Sequence, residues 1–327
     1  MIKNLAVIKG NSTDPFFNLA LERYLLETVD EDTALLYVWQ NANTVVIGRN
    51  QNPRKECDLG LLKKDGVKLA RRLSGGGAVY HDLGNLNFTF LMAEENYDLD
   101  RQFDVIIRAC GALGIEAVRS GRNDLTAQDG RKFSGNAFYK SHGKAYHHGT
   151  LLVSADKEKM TRYLTPSKAK LESKSVDSVR SRVADLDELV PDVTVGKLSD
   201  ALVRAFGEVY GIVPASVEGP DASDPRLAEL LEIQESREWN MGSNIRFDFS
   251  FGERFGWGEI EIELAVKGET VKGVNVYSDA MDPEYISELK ERLTGCAFGK
   301  EELIRRVPDQ DPRKAADIRD LIGRQEI

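Results

Sequence analysis

The residues best placed to do chemistry cluster in Arg71 to Phe90, RRLSGGGAVYHDLGNLNFTF, where Gly75, Gly76 and Gly77 are flanked by Arg71, Arg72, Ser74 and His81. Glycine lets the chain take positive φ and bring bare N–H groups close to an anion, and guanidinium supplies a planar donor fork that stays charged. The combination suits a phosphate or a carboxylate. Taken alone, three glycines are read first as a tight hairpin turn.

Further along come Asn123-Asp124 and then RKFSGNA, in which Lys132 adds a cation. Asp124 is a candidate magnesium ligand, because magnesium takes one or two carboxylates together with substrate phosphates. Phosphoryl and nucleotidyl transfer run on positioning and charge neutralisation, with no covalent intermediate on the protein. Competing chemistries find less support. There is no GxxxxGK followed by Ser or Thr, and the glycine run lacks the spacing of a dinucleotide fold. His147 and His148 are adjacent on a predicted strand and point to opposite faces, so they do not share a zinc. No serine or cysteine is paired with a base.

These residues need elements to hold them. Ile2 to Ile8 reads as a strand, and Asp14-Pro15 opens a helix over Pro15 to Thr28. Leu35 to Trp39 and Thr44 to Ile47, separated by Asn41-Ala42-Asn43, read as a hairpin, followed by a polar loop from Gly48 to Pro53. A helix through Leu61 leads to a strand over Val67 to Leu73, and Asn85 to Leu91 returns as another, so strands border the glycine loop. Arg101 to Leu113 reads as helix, Ile115 to Val118 and Ala145 to Ser154 as extended, and Ala155 to Leu164 and Val195 to Tyr210 as helices. Pro214 to Pro225 is a connector before a short helix. After Asn240-Met241-Gly242-Ser243 the texture changes to strands at Ile245 to Phe251, Trp257 to Val266 and Thr270 to Tyr277. Helices at Pro283 to Leu293, Lys300 to Arg306 and Pro312 to Leu321 complete a βββααα tail.

The 327 residues, 41% hydrophobic, are enough for two domains with a real core. No apolar run approaches a membrane span and the first ten residues do not form a signal peptide, which places the chain in the cytoplasm. Cys57, Cys110 and Cys296 are too few and too scattered for a disulfide framework or a metal site. With 44 basic and 53 acidic residues the net charge is -9, which argues against an extended nucleic-acid surface. Arg162 to Arg182 is locally basic and could be either a docking surface or a solvated face.

Four strings in order, RRLSGGGAVYHDLGNLNFTF, RNDL, RKFSGNAFY and HHGTLL, resemble the lipoate-protein ligases, which activate lipoic acid with ATP and attach it to a lysine of a lipoyl domain. The likeness runs on through SVRSRV, within Ser175 to Val183, and WNMG, Trp239 to Gly242. The tail resembles the accessory domain of the long, single-chain bacterial form. The implied fold is α/β (α+β): a mixed-sheet catalytic domain of the biotin/lipoate ligase type over 1–243, with a smaller α+β C-terminal domain over 244–327. Biotin-protein ligases and octanoyltransferases share the catalytic fold.

The resemblance implies that Lys132 contacts the carboxyl and phosphate oxygens of the acyl-adenylate, with Asp124 as its catalytic partner and a magnesium ligand. It places Arg72, Ser74, Gly75, Gly76, Gly77, His81, Asn85, Ser134, Gly135, His148 and Gly149 around lipoate and lipoyl-AMP. Arg72, Gly77, Val79, Tyr80, Asn123, Asp124 and Lys132 fall around ATP. ATP is then a substrate and Mg²⁺ an activating metal, with no prosthetic group. The implied partners are lipoic acid or octanoate, and the lipoyl domains of 2-oxoacid dehydrogenase complexes and the glycine-cleavage H protein, with no nucleic acid or membrane. The acyl slot draws on Tyr37, Val45, Val79 and Phe88, which equally read as sheet core. One alternative is a lipoyl or octanoyl transferase of the same fold, carrying the acyl group on a cysteine. No cysteine lies between Cys110 and Cys296, where such relatives carry theirs. Biotin-protein ligases differ in their GRGRxGR-like glycine motif. A non-catalytic lipoate-binding protein is the remaining alternative, against which the intact Arg72, Lys132 and Asp124 speak.

Overall fold

The structure is a computed structural model that describes residues 1–121, 123–165, 183–221, 223–242 and 246–326. It divides into two compact units, one of Met1–Val46, Arg54–Ala70 and Ala78–Asn240, the other of Ile47–Pro53, Arg71–Gly77 and Met241–Ile327.

Up to residue 235 the main elements are, in chain order, β1 (Asn4–Lys9), α1 (Pro15–Thr28), β2 (Thr33–Trp39), β3 (Thr44–Ile47), β4 (Lys68–Arg71), β5 (Val79–His81), β6 (Asn85–Ala93), α2 (Leu99–Gly111), β7 (Ala117–Ser120), β8 (Asp124–Ala127), β9 (Lys132–Ser141), β10 (Lys144–Leu152), α3 (Val195–Tyr210), β11 (Ala215–Ser216) and α4 (Pro225–Glu235), all in the first unit but for the last residues of β3 and β4. The bounds of α1 and α3 are those the sequence predicts. Asp14 caps the first through Phe16 N and Phe17 N with Pro15 behind it, and Gly211 ends the second with φ 68°. An eight-stranded mixed sheet has the order β11-β1-β2-β6-β10-β9-β8-β7.

The predicted hairpin of β2 and β3 does not form. β2 lies between β1 and β6, and β3 joins a separate three-stranded sheet of order β4-β3-β5. The intervening residues turn inward: Asn41 is fully buried, accepting from Asn18 Nδ2 at 2.9 Å, and Ala42 N donates to Thr13 O. A strand buried along nearly its whole length needs a partner on each side, which a local hairpin cannot supply. Pairing was therefore decided by burial and not by proximity in sequence.

Every residue of β6 is buried, and the alternation of a strand divides them. Leu86, Phe88, Phe90 and Met92 join the main core with Phe103, Ile106 and Ala109 of α2 and Leu198, Leu202 and Phe206 of α3. Asn85, Asn87 and Thr89 take the other face, over which α1 packs on β6 and β10. Phe88 therefore belongs to the core and not to the slot that the sequence offered it, whereas Tyr37, paired with Thr89, is on the polar face.

On β10 the two adjacent histidines separate, as their alternation requires. His147 pairs with Phe90 on the core face, boxed by Phe88, Phe90, Phe103 and Phe138 at ring-centroid distances of 5.4, 5.8, 4.9 and 5.0 Å. Burial, reinforced by the charges of His148 and Arg119, pushes its pKa well below the usual range.

The second unit has an antiparallel sheet, β12 (Phe249–Phe255), β13 (Gly258–Lys267) and β14 (Thr270–Ser278), backed by α5 (Pro283–Leu293), α6 (Lys300–Arg305) and α7 (Pro312–Gly323). This is the βββααα order read from the sequence. Ile260, Ile262 and Leu264 alternate into its core against Ile286, Leu289, Ile318 and Leu321.

The buried, neutral His147 sets a pH dependence. Below about pH 6.5 an unfolded histidine takes up a proton that the folded one refuses, so stability is lost as pH falls from that point. Urea unfolding between pH 7 and 5 should show wild type losing up to about 1.4 kcal/mol per pH unit more than His147→Phe; parallel slopes would refute this.

Candidate functional site

The polar face of the first unit's sheet is built from side chains one residue out of phase with the core. Trp39 Nε1 donates to Thr89 Oγ1 at 3.1 Å, and Thr89 Oγ1 donates to Glu22 Oε1 at 2.7 Å. His148 Nδ1 donates to the same carboxylate oxygen at 2.8 Å. Glu22 is 1% and His148 7% exposed, so this charged cluster is sealed from water and satisfied from within. Tyr37 stacks on Trp39 at 5.7 Å, and its hydroxyl donates to Asn18 Oδ1 at 3.0 Å. His81 presents its ring edge-on to Trp39 and bonds Asn41 through Nδ1 at 3.2 Å.

Next on this face, Asn85 Nδ2 donates to Asn87 Oδ1 at 2.9 Å. Asn85 Oδ1 and Asn87 Nδ2 are shielded from solvent and meet no partner among the described residues. A buried acceptor and donor left open on one surface mark a place for a polar ligand group or an ordered water.

The other end of the face is charged. Lys132 Nζ lies 2.7 Å from Asp124 Oδ1, both side chains about half-buried. Asp124 Oδ1 nevertheless lacks a well-directed hydrogen bond, so this is a charge contact that a ligand can exchange. Gly135 leaves the room: a Cβ there would stand 3.1 Å from Lys132 Nζ. Asp124 pairs in register with Gly135, and Lys132 is tied at its main chain, where its carbonyl accepts from Ala184 N at 2.9 Å. Asn123, the residue before Asp124, exchanges hydrogen bonds with Asn136: Nδ2 to Asn136 O at 2.8 Å, and Asn136 N to Asn123 O at 2.9 Å.

In the second unit the two arginines shape loops. Arg71 Nη1 donates to the carbonyls of Gly48, Arg49 and Gln51 at 3.1, 2.7 and 2.8 Å. Burial lowers its pKa to about 10, which leaves it charged at neutral pH. Arg72 Nε donates to Ser74 Oγ at 3.0 Å, and Nη2 donates to Gly75 O at 2.7 Å and Gly77 O at 2.8 Å. The glycine loop thus curls around the guanidinium of Arg72, with Gly76 at φ 86°. A Cβ on Gly75 would come within 2.0 Å of Ala280 O, so backbone packs on backbone there.

The residues singled out from sequence are therefore dispersed in an ordered way. Lys132, Asp124 and Gly135 meet at one end of the polar face, with Asn85 and His148 farther along it. Ser134 lies on the core side, its Oγ 3.2 Å from Asn136 Nδ2, and a Cβ on Gly149 would point at Asn136 and Phe88. Tyr80 is buried with its hydroxyl donating to Asn43 Oδ1 at 2.7 Å, and Val79 pairs with Val46. Arg72, Ser74 and the three glycines belong to the second unit. The basic segment lies outside the described residues from 166 to 182, as does all of SVRSRV but Val183; Arg162 itself pairs with Asp65 at 2.7 Å.

Sequence reasoning missed Glu22, Trp39, Thr89 and Asn136. A signal existed for Glu22. In NLALERYLLE it stands four residues after Asn18, on the helical face that also carries Leu21, Leu25 and Leu26, where a charge has no reason to be unless it is paired.

Comparison with known proteins shows the family. The description "Lipoyl protein ligase A/B catalytic domain" matches residues 14–207, and "Bacterial lipoate protein ligase C-terminus" matches residues 244–315. The chain belongs to the lipoate-protein ligase family and is an enzyme of that family. It is similar to P. falciparum LipL1, solved in complex with lipoate, at 30% identity and a TM-score of 0.86 over 98% of this chain and 100% of that one. It is also similar to the bi-partite lipoate protein ligase of Thermoplasma acidophilum, described with its E2 lipoyl domain, at 28% identity and a TM-score of 0.67 over 76% of this chain and 100% of that one. A lipoate-protein ligase A bound with ATP matches at 27% identity and a TM-score of 0.65 over 74% of this chain and 99% of that one.

Removing the carboxylate from the sealed cluster leaves Thr89 and His148 without their shared acceptor. Glu22→Ala should lower the unfolding free energy by about 3 kcal/mol. Denaturant titration measures this, and a loss below about 1 kcal/mol would mean water replaces the carboxylate.

Proposed function

We propose that this enzyme is an ATP-dependent lipoate-protein ligase working in two steps. In the first, a carboxylate oxygen of lipoate bonds to the α-phosphorus of ATP while the bond to pyrophosphate breaks, giving lipoyl-AMP. In the second, the amine of an acceptor lysine on a lipoyl domain bonds to the acyl carbon, AMP leaves and the amine proton is released. That amine, with an ordinary pKa near 10.4, must shed a proton before it attacks.

The observation that carries this reading is the polar sheet face itself, with a sealed aromatic and polar cluster at one end and Lys132 beside Asp124 at the other. His148 and Gly135 stand on neighbouring strands two residues out of register. Strand spacing and rise then put about 8 Å between them, the reach of a medium-chain acid. Trp39 and Tyr37 offer the apolar wall for the acyl tail, worth about 0.8 kcal/mol per buried CH₂. Asn87 Nδ2, an open donor, suits an acyl or carboxylate oxygen between the two ends. The proposed roles follow. Lys132 exchanges Asp124 for substrate oxygens and neutralises charge that builds at phosphorus; Asn123 and Asp124 face the nucleotide. Val79 to His81 and Asn85 contribute further contacts to the acyl-adenylate.

Asp124 fits a magnesium ion that arrives with the phosphates. It is a single carboxylate with a shielded oxygen, and no group of three or more His, Cys, Asp or Glu gathers among the described residues to hold a metal unaided. Bound there, the ion would neutralise phosphate charge. Lipoate or octanoate as the acid, and lipoyl domains of 2-oxoacid dehydrogenase complexes or the glycine-cleavage H protein as acceptors, complete the proposal, with the cytoplasm as the setting. The longest apolar helices among the described residues are too short to cross a membrane.

A cysteine-based acyl transfer is disfavoured by the thiols. Cys57, Cys110 and Cys296 are buried, and burial pushes the first two up to about 12 and raises the third. A thiol held protonated is a poor nucleophile.

Lipoate-dependent ATP–pyrophosphate exchange tests the reading directly, and no exchange with either lipoate or octanoate would overturn it. Lys132→Ala should lower that exchange about a hundredfold or more with an unchanged unfolding midpoint. Treating the native enzyme with iodoacetamide should leave transfer to the acceptor intact; inactivation protected by lipoate would restore the cysteine route.

A further inference from the structure

The core face of the same sheet carries a polar chain that the proposed chemistry does not use. His147 sits fully buried in its box of phenylalanines, yet both ring nitrogens face polar side chains. Nδ1 lies 3.1 Å from Gln102 Oε1 on α2, and Nε2 lies 2.8 Å from Asn136 Oδ1 on β9. A neutral imidazole has one N–H. Asn136 points its NH₂ at Asn123 O, 3.0 Å away, and at Ser134 Oγ, 3.2 Å away, so its Oδ1 is the acceptor that faces the ring. The ring proton is therefore on Nε2, and at Nδ1 the Gln102 oxygen faces an unprotonated nitrogen without a hydrogen bond.

Asn136 hands this fixed orientation on. Its main-chain and side-chain nitrogens both donate to Asn123 O, and Asn123 Nδ2 returns a bond to Asn136 O. The neighbouring strand makes room for the amide by having glycine at 149, where a Cβ would lie 2.5 Å from Asn136 Oδ1. An apolar box filled only for volume would hold another aromatic or a leucine, because each buried polar group costs free energy unless it is bonded. The links from His147 Nε2 onward are all bonded, and they end at the main chain of Asn123. The next residue, Asp124, sends its side chain to the opposite face of the sheet to meet Lys132.

We propose that His147 and Asn136 form a positioning chain that holds the Asn123–Asp124 corner, and through it the nucleotide, from behind the sheet. The proposal deepens the ligase reading and rests on it. Both residues are on the core face of the sheet, opposite the polar face assigned to the substrates. The acyl end is set by Glu22, Trp39, Thr89 and His148, which are not members of the chain. Loosening the chain therefore affects ATP and spares lipoate.

His147→Phe keeps the box filled and removes the Nε2 donor, while His147→Gln puts an amide N–H back near the same place. Pyrophosphate exchange by the full chain gives KM for each substrate, and calorimetry gives Kd for ATP directly. His147→Phe should raise both ATP constants about tenfold and change the lipoate KM less than about twofold, with His147→Gln recovering most of the loss. A purely structural histidine would lower thermal stability with both KM values unchanged, or shift both together, and glutamine would bring no selective recovery; any of these overturns the chain. Should His147→Phe fail to fold, Asn136→Ala carries the same expectation. Wild type without lipoate-dependent exchange overturns the ligase reading itself, whereas normal wild-type exchange with unaltered ATP constants in the variants overturns only the positioning chain.

Discussion

A strand sends successive side chains to opposite faces, and on β6 and β10 that alternation separates two environments a few ångströms apart. One side is a dense apolar core under α2 and α3. The other is a polar floor in which Glu22 and His148 are almost wholly withdrawn from water. Burying Glu22 is tolerable only because Thr89 and His148 converge on one of its oxygens, and Trp39 in turn satisfies the threonine. Those bonds hold the indole and imidazole rings in place, which is what a shaped acyl site requires. A slip of one residue in the β6–β10 register would exchange the faces and destroy both.

Glycine is used here to admit neighbours as well as to turn the chain. Gly135 admits the ammonium of Lys132, Gly149 admits the Asn136 amide, and Gly75 admits a carbonyl of the second unit's sheet region. In each case the neighbour is a polar group that could not otherwise approach. The arginines show a matching economy. Arg71 and Arg72 direct their donors at main-chain oxygens, so their first effect is to give the loops of the second unit a defined shape.

The chemistry proposed for this lipoate-protein ligase family member asks little of any nucleophile on the protein. Its three thiols are buried and held protonated, and His147 and His148 are committed to structure. What remains is a cation beside a carboxylate at the edge of a shielded surface. That arrangement suits a reaction in which both bonds form and break between substrates and the protein supplies charge and alignment.

Much of this was legible in the residues. Capping at Asp14-Pro15 and at Gly211, the apolar periodicity of the long helices and the βββααα texture of the tail are local signals, and local physics decides them. The opposite orientations of His147 and His148 follow from adjacency on a strand. Motif order pointed to the family before any fold was known. Sequence could not tell that β2 would refuse the hairpin with β3, because pairing depends on which distant strand buries the most surface. Nor could it tell that Phe88 faces the core while Tyr37 faces the polar side, since that needs the register against β2. Glu22 lies 67 residues from Thr89 and 126 from His148. Their meeting is a property of the packed sheet and helix: a charge leaves water only where tertiary structure has already assembled its partners.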